Sequence, residues 1–178
     1  PADTPAQKLQ VPLLDVRGLS CRYGGVRALE DVTFQVEAGE TVGIVGPSGA
    51  GKSALVAALS GALRPRAGRV FLDGTDVTRW PAERRASDGL ARTFHPARPL
   101  AGLSVRENIA LGAMLLHPAR EDALDHAAFV AEQVGLDASL RRPAGLLGRL
   151  GRARLEIARA WATGPRILLL DSALDGLE

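Results

Sequence analysis

A glycine-rich octapeptide, Gly46-Pro47-Ser48-Gly49-Ala50-Gly51-Lys52-Ser53, constrains this chain more than any other feature. It matches the pattern GxxxxGK[ST] in full. A short apolar run, Thr41 to Val45, precedes it and predicts a strand; from Lys52 to Leu63 the pattern turns to Ala, Leu and Ser at helical spacing. In the order strand, glycine loop, helix, the backbone can curl several N–H groups toward one point and add the positive end of a helix dipole. A polyphosphate meets donors that are already oriented. The Lys52 ammonium adds a point charge for the β and γ phosphates, and the Ser53 hydroxyl is a hard oxygen suited to Mg²⁺. The eight residues are therefore expected to hold ATP and Mg²⁺.

A chain of 178 residues with 46% apolar residues can fill a real core, and one domain is the working expectation. The formal net charge is +2, and both signs are spread along the sequence without a dense basic block, so no nucleic-acid partner is expected. The single cysteine, Cys21, is expected to be a buried small residue near a strand end. No apolar run approaches the 18 or more residues of a membrane helix, so a membrane role would have to come through a partner. Residues 1–12, punctuated by Pro1, Pro5 and Pro12, are expected to be a linker or trimmed terminus.

Along the rest of the chain, Leu13 to Leu19 and Val32 to Val36 carry strand-like patterns. Asp73-Gly74 predicts a two-residue hairpin turn between Val70-Phe71-Leu72 and Thr75 to Val77. A short helix is expected over Pro81 to Ser87 and a strand over Leu90 to Phe94. Ser104 and Glu107 form an S-x-x-E capping box for a helix running to about Ala113. A second helix is expected from Glu121 to Val134, ending at Gly135, and a third from Arg154 to Ala162. Ile167 to Leu170 predicts a strand buried on both faces that places Asp171 at its carboxyl end, where α/β sheets put their ligands. About 120 residues beyond the loop, Asp171 is the natural carboxylate for the waters of Mg²⁺. His117 and His126 share no metal-ligand spacing and are expected on helix surfaces.

The segments Tyr23-Gly24-Gly25-Val26-Arg27-Ala28-Leu29, Gly89-Leu90-Ala91-Arg92-Thr93-Phe94 and Leu155-Glu156-Ile157-Ala158-Arg159-Ala160, beside the phosphate loop, give the chain its likeness. From about Leu13 to Glu178 it resembles the ATP-binding subunits of ABC transporters, most of all those of branched-chain amino-acid importers. The resemblance implies an α/β, P-loop NTPase fold of the ABC type. That fold has a central, mainly parallel sheet, an N-terminal antiparallel β part and a helical subdomain at about 100–150. Residues 13–178 would be the nucleotide-binding domain, with its C-terminal part missing. In such domains an aromatic at the position of Tyr23 stacks on adenine with a small apolar residue, here Val26, nearby. Two domains, identical or different, sandwich ATP, and their closure moves transmembrane permease subunits at the cytoplasmic face of the membrane.

Three positions depart from the family pattern. His95 stands where a glutamine reaches Mg²⁺ and the attacking water; a neutral imidazole can orient water but is a poor Mg²⁺ ligand. The signature loop, usually Leu-Ser-Gly-Gly-Gln, aligns with Leu147-Gly148-Arg149-Leu150-Gly151, where Arg149 and Leu150 add side chains to positions that need bare backbone. Ser172 replaces the glutamate that polarises the lytic water, and a lost acid or base typically costs about 10²- to 10⁴-fold in rate. The resemblance thus implies an importer subunit with impaired hydrolysis. A catalytically dead regulatory module that keeps ATP as structural glue, and a truncated fragment without function, stand as alternatives.

Overall fold

The computed structural model describes residues 11–23, 25–94 and 96–172. The chain divides into two compact units, one up to Trp80 and one from Pro81.

The first unit is built on a four-stranded antiparallel sheet in the order β2-β1-β3-β4, with β1 at Leu14–Tyr23, β2 at Val26–Val36, β3 at Ala67–Leu72 and β4 at Thr75–Asp76. β1 takes Leu14 opposite Val36 on one side and opposite Leu72 on the other. The side chains of Leu14, Val16, Leu19 and Cys21 on β1, like those of Val70, Leu72 and Val77, are buried in this unit. Cys21 is buried on a strand as its composition suggests, and burial pushes its thiol pKa up. The Asp73-Gly74 turn forms as expected: Leu72 pairs with Thr75, and both turn residues have positive φ. Helix α1, Lys52–Leu59, packs against β1 and β2 through Leu55, Val56, Ala58 and Leu59. It ends four residues before Leu63, because Ser60 caps it and Gly61 turns the chain at φ +81°.

The strand expected at Thr41 to Val45 is not there. Among the described residues this run joins no ladder, and Val42, Ile44 and Val45 are exposed, Val45 almost completely. The edge strands of this unit's sheet, β2 and β4, do not take the run as a neighbour, and an apolar run becomes a strand only when an edge pairs with it.

The second unit holds α2 at Ala82–Ser87, β5 at Leu90–Arg92, α3 at Val105–Ala113, α4 at Arg120–Gln133, α5 at Arg149–Trp161 and β6 at Ile167–Leu169. β5 and β6 pair in parallel. The Ser104 to Glu107 capping box is complete, each partner bonding the other's backbone. α4 begins one residue before its predicted start and stops at Gly135, whose φ is +69°. Val105, Ile109, Ala113, Ala127, Val130 and Leu155 anchor a helical core shared by α3, α4 and α5. Small residues let these helices approach closely: a Cβ on Gly112 would lie 2.2 Å from the Arg159 carbonyl oxygen.

Three expectations in this unit need correction. α5 begins at Arg149, five residues before its predicted start, because Gly148 supplies an extended cap (φ −67°, ψ 177°) and the arginine and leucine residues that follow favour helix. β6 is half-buried rather than buried on both faces, and Leu170 beyond it is 49% exposed, since β5 is its single strand partner among the described residues. His126 lies half-buried on α4, but His117 falls in the loop after α3 rather than on a helix; their rings meet with centroids 4.9 Å apart at a 44° tilt, and Phe129 lies 6.3 Å beyond His126.

Candidate functional site

In the first unit the phosphate loop is shaped by two left-handed glycines, Gly49 at φ +82° and Gly51 at φ +93°. Gly51 is also sterically required. A Cβ there would stand 2.3 Å from the Ala28 carbonyl oxygen, so the loop lies directly against strand β2. The Lys52 ammonium donates to the carbonyl oxygens of Gly46 at 2.7 Å and Pro47 at 2.9 Å. The loop thus folds back over its own lysine and keeps a positive charge inside the turn. Ala50 N–H closes the loop on the Pro47 carbonyl at 3.2 Å, and Leu55 N–H to the Gly51 carbonyl at 2.9 Å starts α1. Ser53 sits in the first turn of that helix, exposed. Glycines that a Cβ would disturb, an oriented helix start and an internal ammonium suit a phosphate chain.

Val26 begins β2 and is 70% exposed, free to line a bound base. Its backbone pairs with that of Tyr23 at the end of β1. The Tyr23 side chain and all of His95 lie outside the described residues.

In the second unit Asp171 and Ser172 follow β6. Asp171 N–H donates to Thr93 Oγ1 at 3.0 Å, and Ser172 adopts φ +49°, a left-handed backbone unusual for a residue with a side chain. Phe94 N–H donates to Glu156 Oε1 at 3.2 Å, and Glu156 is 5% exposed. Its other oxygen lies 3.5 Å from Arg159 Nη1, which also donates to the Arg98 carbonyl at 3.0 Å. A cleft of about 510 Å³ brings Ser172 together with Phe94, Leu147, Gly148, Arg149 and Arg152. Two of the altered positions, the serine after Asp171 and the start of α5, therefore face one space. Arg152 braces that start: its Nε donates to the Leu147 carbonyl at 2.9 Å and Nη2 to the Gly145 carbonyl at 3.1 Å. No group of three or more His, Cys, Asp or Glu residues able to hold a metal occurs among the described residues.

Sequence reasoning missed the Thr93, Glu156 and Arg159 network. The sole signal is that all three residues fall within the Gly89 to Phe94 and Leu155 to Ala160 segments that carry the resemblance.

A glycine loop wrapped on its own lysine at a helix start marks a phosphate-loop nucleotide-binding protein of the α/β class. Comparison with known proteins narrows the class. The sequence profile described as ABC transporter matches residues 29–175. The high-affinity branched-chain amino acid transport ATP-binding protein BraF of Pseudomonas aeruginosa is 35% identical over 182 aligned positions, which cover 94% of this chain and 71% of BraF. The high-affinity branched-chain amino acid transport ATP-binding protein LivG of Escherichia coli is 34% identical at the same coverage. The Fe(3+) ions import ATP-binding protein FbpC of Streptomyces coelicolor is 38% identical over 169 positions, 93% of this chain and 47% of FbpC. Among solved structures, the ATP-binding cassette MJ1267 superposes with a TM-score of 0.81 at 27% identity, covering 93% of this chain and 70% of that one. The chain belongs to the ABC transporter family, as its sequence resemblance implied. Its fold is that of an ABC ATP-binding cassette, and binding of ATP comes with the family. No helix among the described residues is long and apolar enough to cross a membrane.

Proposed function

We propose that this chain is the ATP-binding subunit of an ABC importer and works as one of a pair, identical or different, beneath transmembrane permease subunits at the cytoplasmic face of the membrane. Branched-chain amino acids are the proposed cargo, after BraF and LivG. The Fe(3+) ions import ATP-binding protein FbpC is also similar to this chain, so in this reading cargo choice rests with the permease partner. The observation that carries the proposal is the Gly46 to Ser53 loop folded on the Lys52 ammonium.

Gly46, Pro47, Ser48, Gly49, Ala50, Gly51, Lys52 and Ser53 would hold the phosphates, with Tyr23 and Val26 at the base. The Ser53 hydroxyl and the Asp171 carboxylate are hard oxygens, and that donor set fits Mg²⁺, which keeps several waters and takes few protein ligands. Bound Mg²⁺ would neutralise charge on the phosphates. By the family pattern Ser172 would stand where a glutamate polarises the lytic water, and a serine hydroxyl is not a base near neutral pH; His95 would stand where a glutamine orients that water. Hydrolysis is accordingly proposed to be slow. Arg149, Leu150 and Gly151 form the first turn of α5, so the partner's nucleotide would meet a helix start that carries side chains.

The test is a titration of the purified chain with Mg·ATP, beside Lys52→Ala. Saturable binding in the wild type, weakened at least about tenfold in the variant, is expected, because a charge-assisted contact to phosphate is worth about 1.5–3 kcal/mol. No saturable binding would reject the reading. A regulatory module that holds ATP without turning it over is the second reading, favoured by a cleft that gathers Ser172 and Arg149 while the helical core is intact. Phosphate release from the same samples separates the two: steady slow turnover supports the importer, none at all the module.

A further inference from the structure

The turn that carries Asp171 is held by a side chain at the place where a strand ladder would ordinarily supply backbone. β5 and β6 pair Leu90 with Ile167, Ala91 with Leu168 and Arg92 with Leu169. One residue further, Thr93 N–H still donates to the Leu169 carbonyl at 2.9 Å. At the following rung, Asp171 N–H finds the Thr93 hydroxyl oxygen at 3.0 Å. Thr93 is 1% exposed, so water has no route to replace that acceptor. The next residue, Ser172, has φ +49°, a conformation that persists in a residue with a side chain only when its surroundings hold it.

Thr93 is itself pinned from the other direction. The adjoining Phe94 N–H is bound by the buried Glu156 carboxylate of α5, and Arg159, one turn along, holds the Arg98 carbonyl. A buried carboxylate is tolerated when hydrogen bonds and a cation satisfy it, as here. The hydroxyl that meets Asp171 is therefore fixed to β6 through the ladder and to α5 through Glu156.

We propose that Thr93 is a positioning residue for the Asp171 carboxylate, its buried hydroxyl fixing the backbone of the turn that would present that carboxylate to Mg²⁺. This deepens the proposed function and rests on its assignment of Asp171. Groups that orient metal ligands commonly contribute about 10- to 100-fold in metal affinity, which puts a loss here within easy reach of measurement.

The test measures ATP affinity of the full chain with Mg²⁺ and with EDTA, in the wild type, Thr93→Val and Thr93→Ser, with thermal midpoints recorded for each. Valine keeps the shape and deletes the acceptor; serine keeps the acceptor and deletes the methyl group. The expected result is that Thr93→Val loses about tenfold of the Mg²⁺-dependent gain in affinity while its affinity in EDTA stays within about twofold, and that Thr93→Ser retains the gain. A full Mg²⁺ gain in Thr93→Val overturns the proposal, as does an equal loss with and without Mg²⁺ or the same loss in Thr93→Ser. A wild type that binds ATP with no Mg²⁺ gain overturns the assignment of Asp171 and takes the proposal with it. Should the valine variant not fold, hydrogen exchange at the Asp171 amide of the wild type decides: protection is expected, and free exchange overturns the bond on which the proposal stands.

Discussion

The His126 ring shows how a single residue can couple stability to pH. Burial lowers its pKa, and the His117 ring beside it adds to the shift. A histidine whose folded pKa lies below its unfolded value is kept neutral by the fold. Its contribution is complete above the unfolded pKa and is lost as pH falls through the folded one. The thermal midpoint should therefore drop as pH falls below about 6.5, the value of an unfolded histidine, before the carboxylates titrate. His126→Gln should flatten that slope, and an unchanged slope in the variant would refute the assignment. This pair also marks a limit of reading from sequence. His117 lies in the loop after α3 and His126 on α4, and spacing along the chain says nothing about rings that meet only once the chain has folded. The phosphate loop is the opposite case, because its backbone, its lysine and its helix start are all local and were legible as GxxxxGK[ST]. Asp171 was legible as the end of an aliphatic run, while Thr93, which holds its amide from 78 residues away, was not.

Among the elements, the caps and turns written in short stretches were read correctly: Asp73-Gly74 between β3 and β4, Ser104 with Glu107 on α3, Gly135 after α4. The start of α5 was misplaced because Gly148 acts as a cap through backbone geometry, without a side-chain signal. Thr41 to Val45 was misread because an apolar run becomes a strand only when another edge accepts it. The crossing of α3 and α5 gives a sharper test. Replacing Gly112 with alanine would gain up to about 1 kcal/mol in helix propensity, yet its Cβ would press on the Arg159 carbonyl 2.2 Å away. Overpacking of this kind costs about 1–3 kcal/mol, and main chain yields less readily than the end of a side chain. Gly112→Ala is therefore expected to lower the urea midpoint of the helical unit; an equal or higher midpoint would mean that the two helices move apart at little cost.

At the scale of the whole molecule, membership in the ABC family was legible because loop motif and flanking segments are contiguous, whereas a division at Trp80 left no composition break to find. The chain has two tryptophans, Trp80 at the end of the first unit and Trp161 in α5 of the second. Urea unfolding followed by Trp161 in Trp80→Phe and by Trp80 in Trp161→Phe is expected to give separate midpoints, since each unit has its own core. Coincident curves would show a single cooperative body. The unpaired approach to the phosphate loop bears on every affinity measured for this protein. Among the described residues no ladder braces Val42 to Val45, so in the proposed function an arriving triphosphate would itself order the segment that leads into its loop. Part of the contact energy is consumed in that tightening, and whatever braces the segment beforehand will make the same contacts bind more strongly.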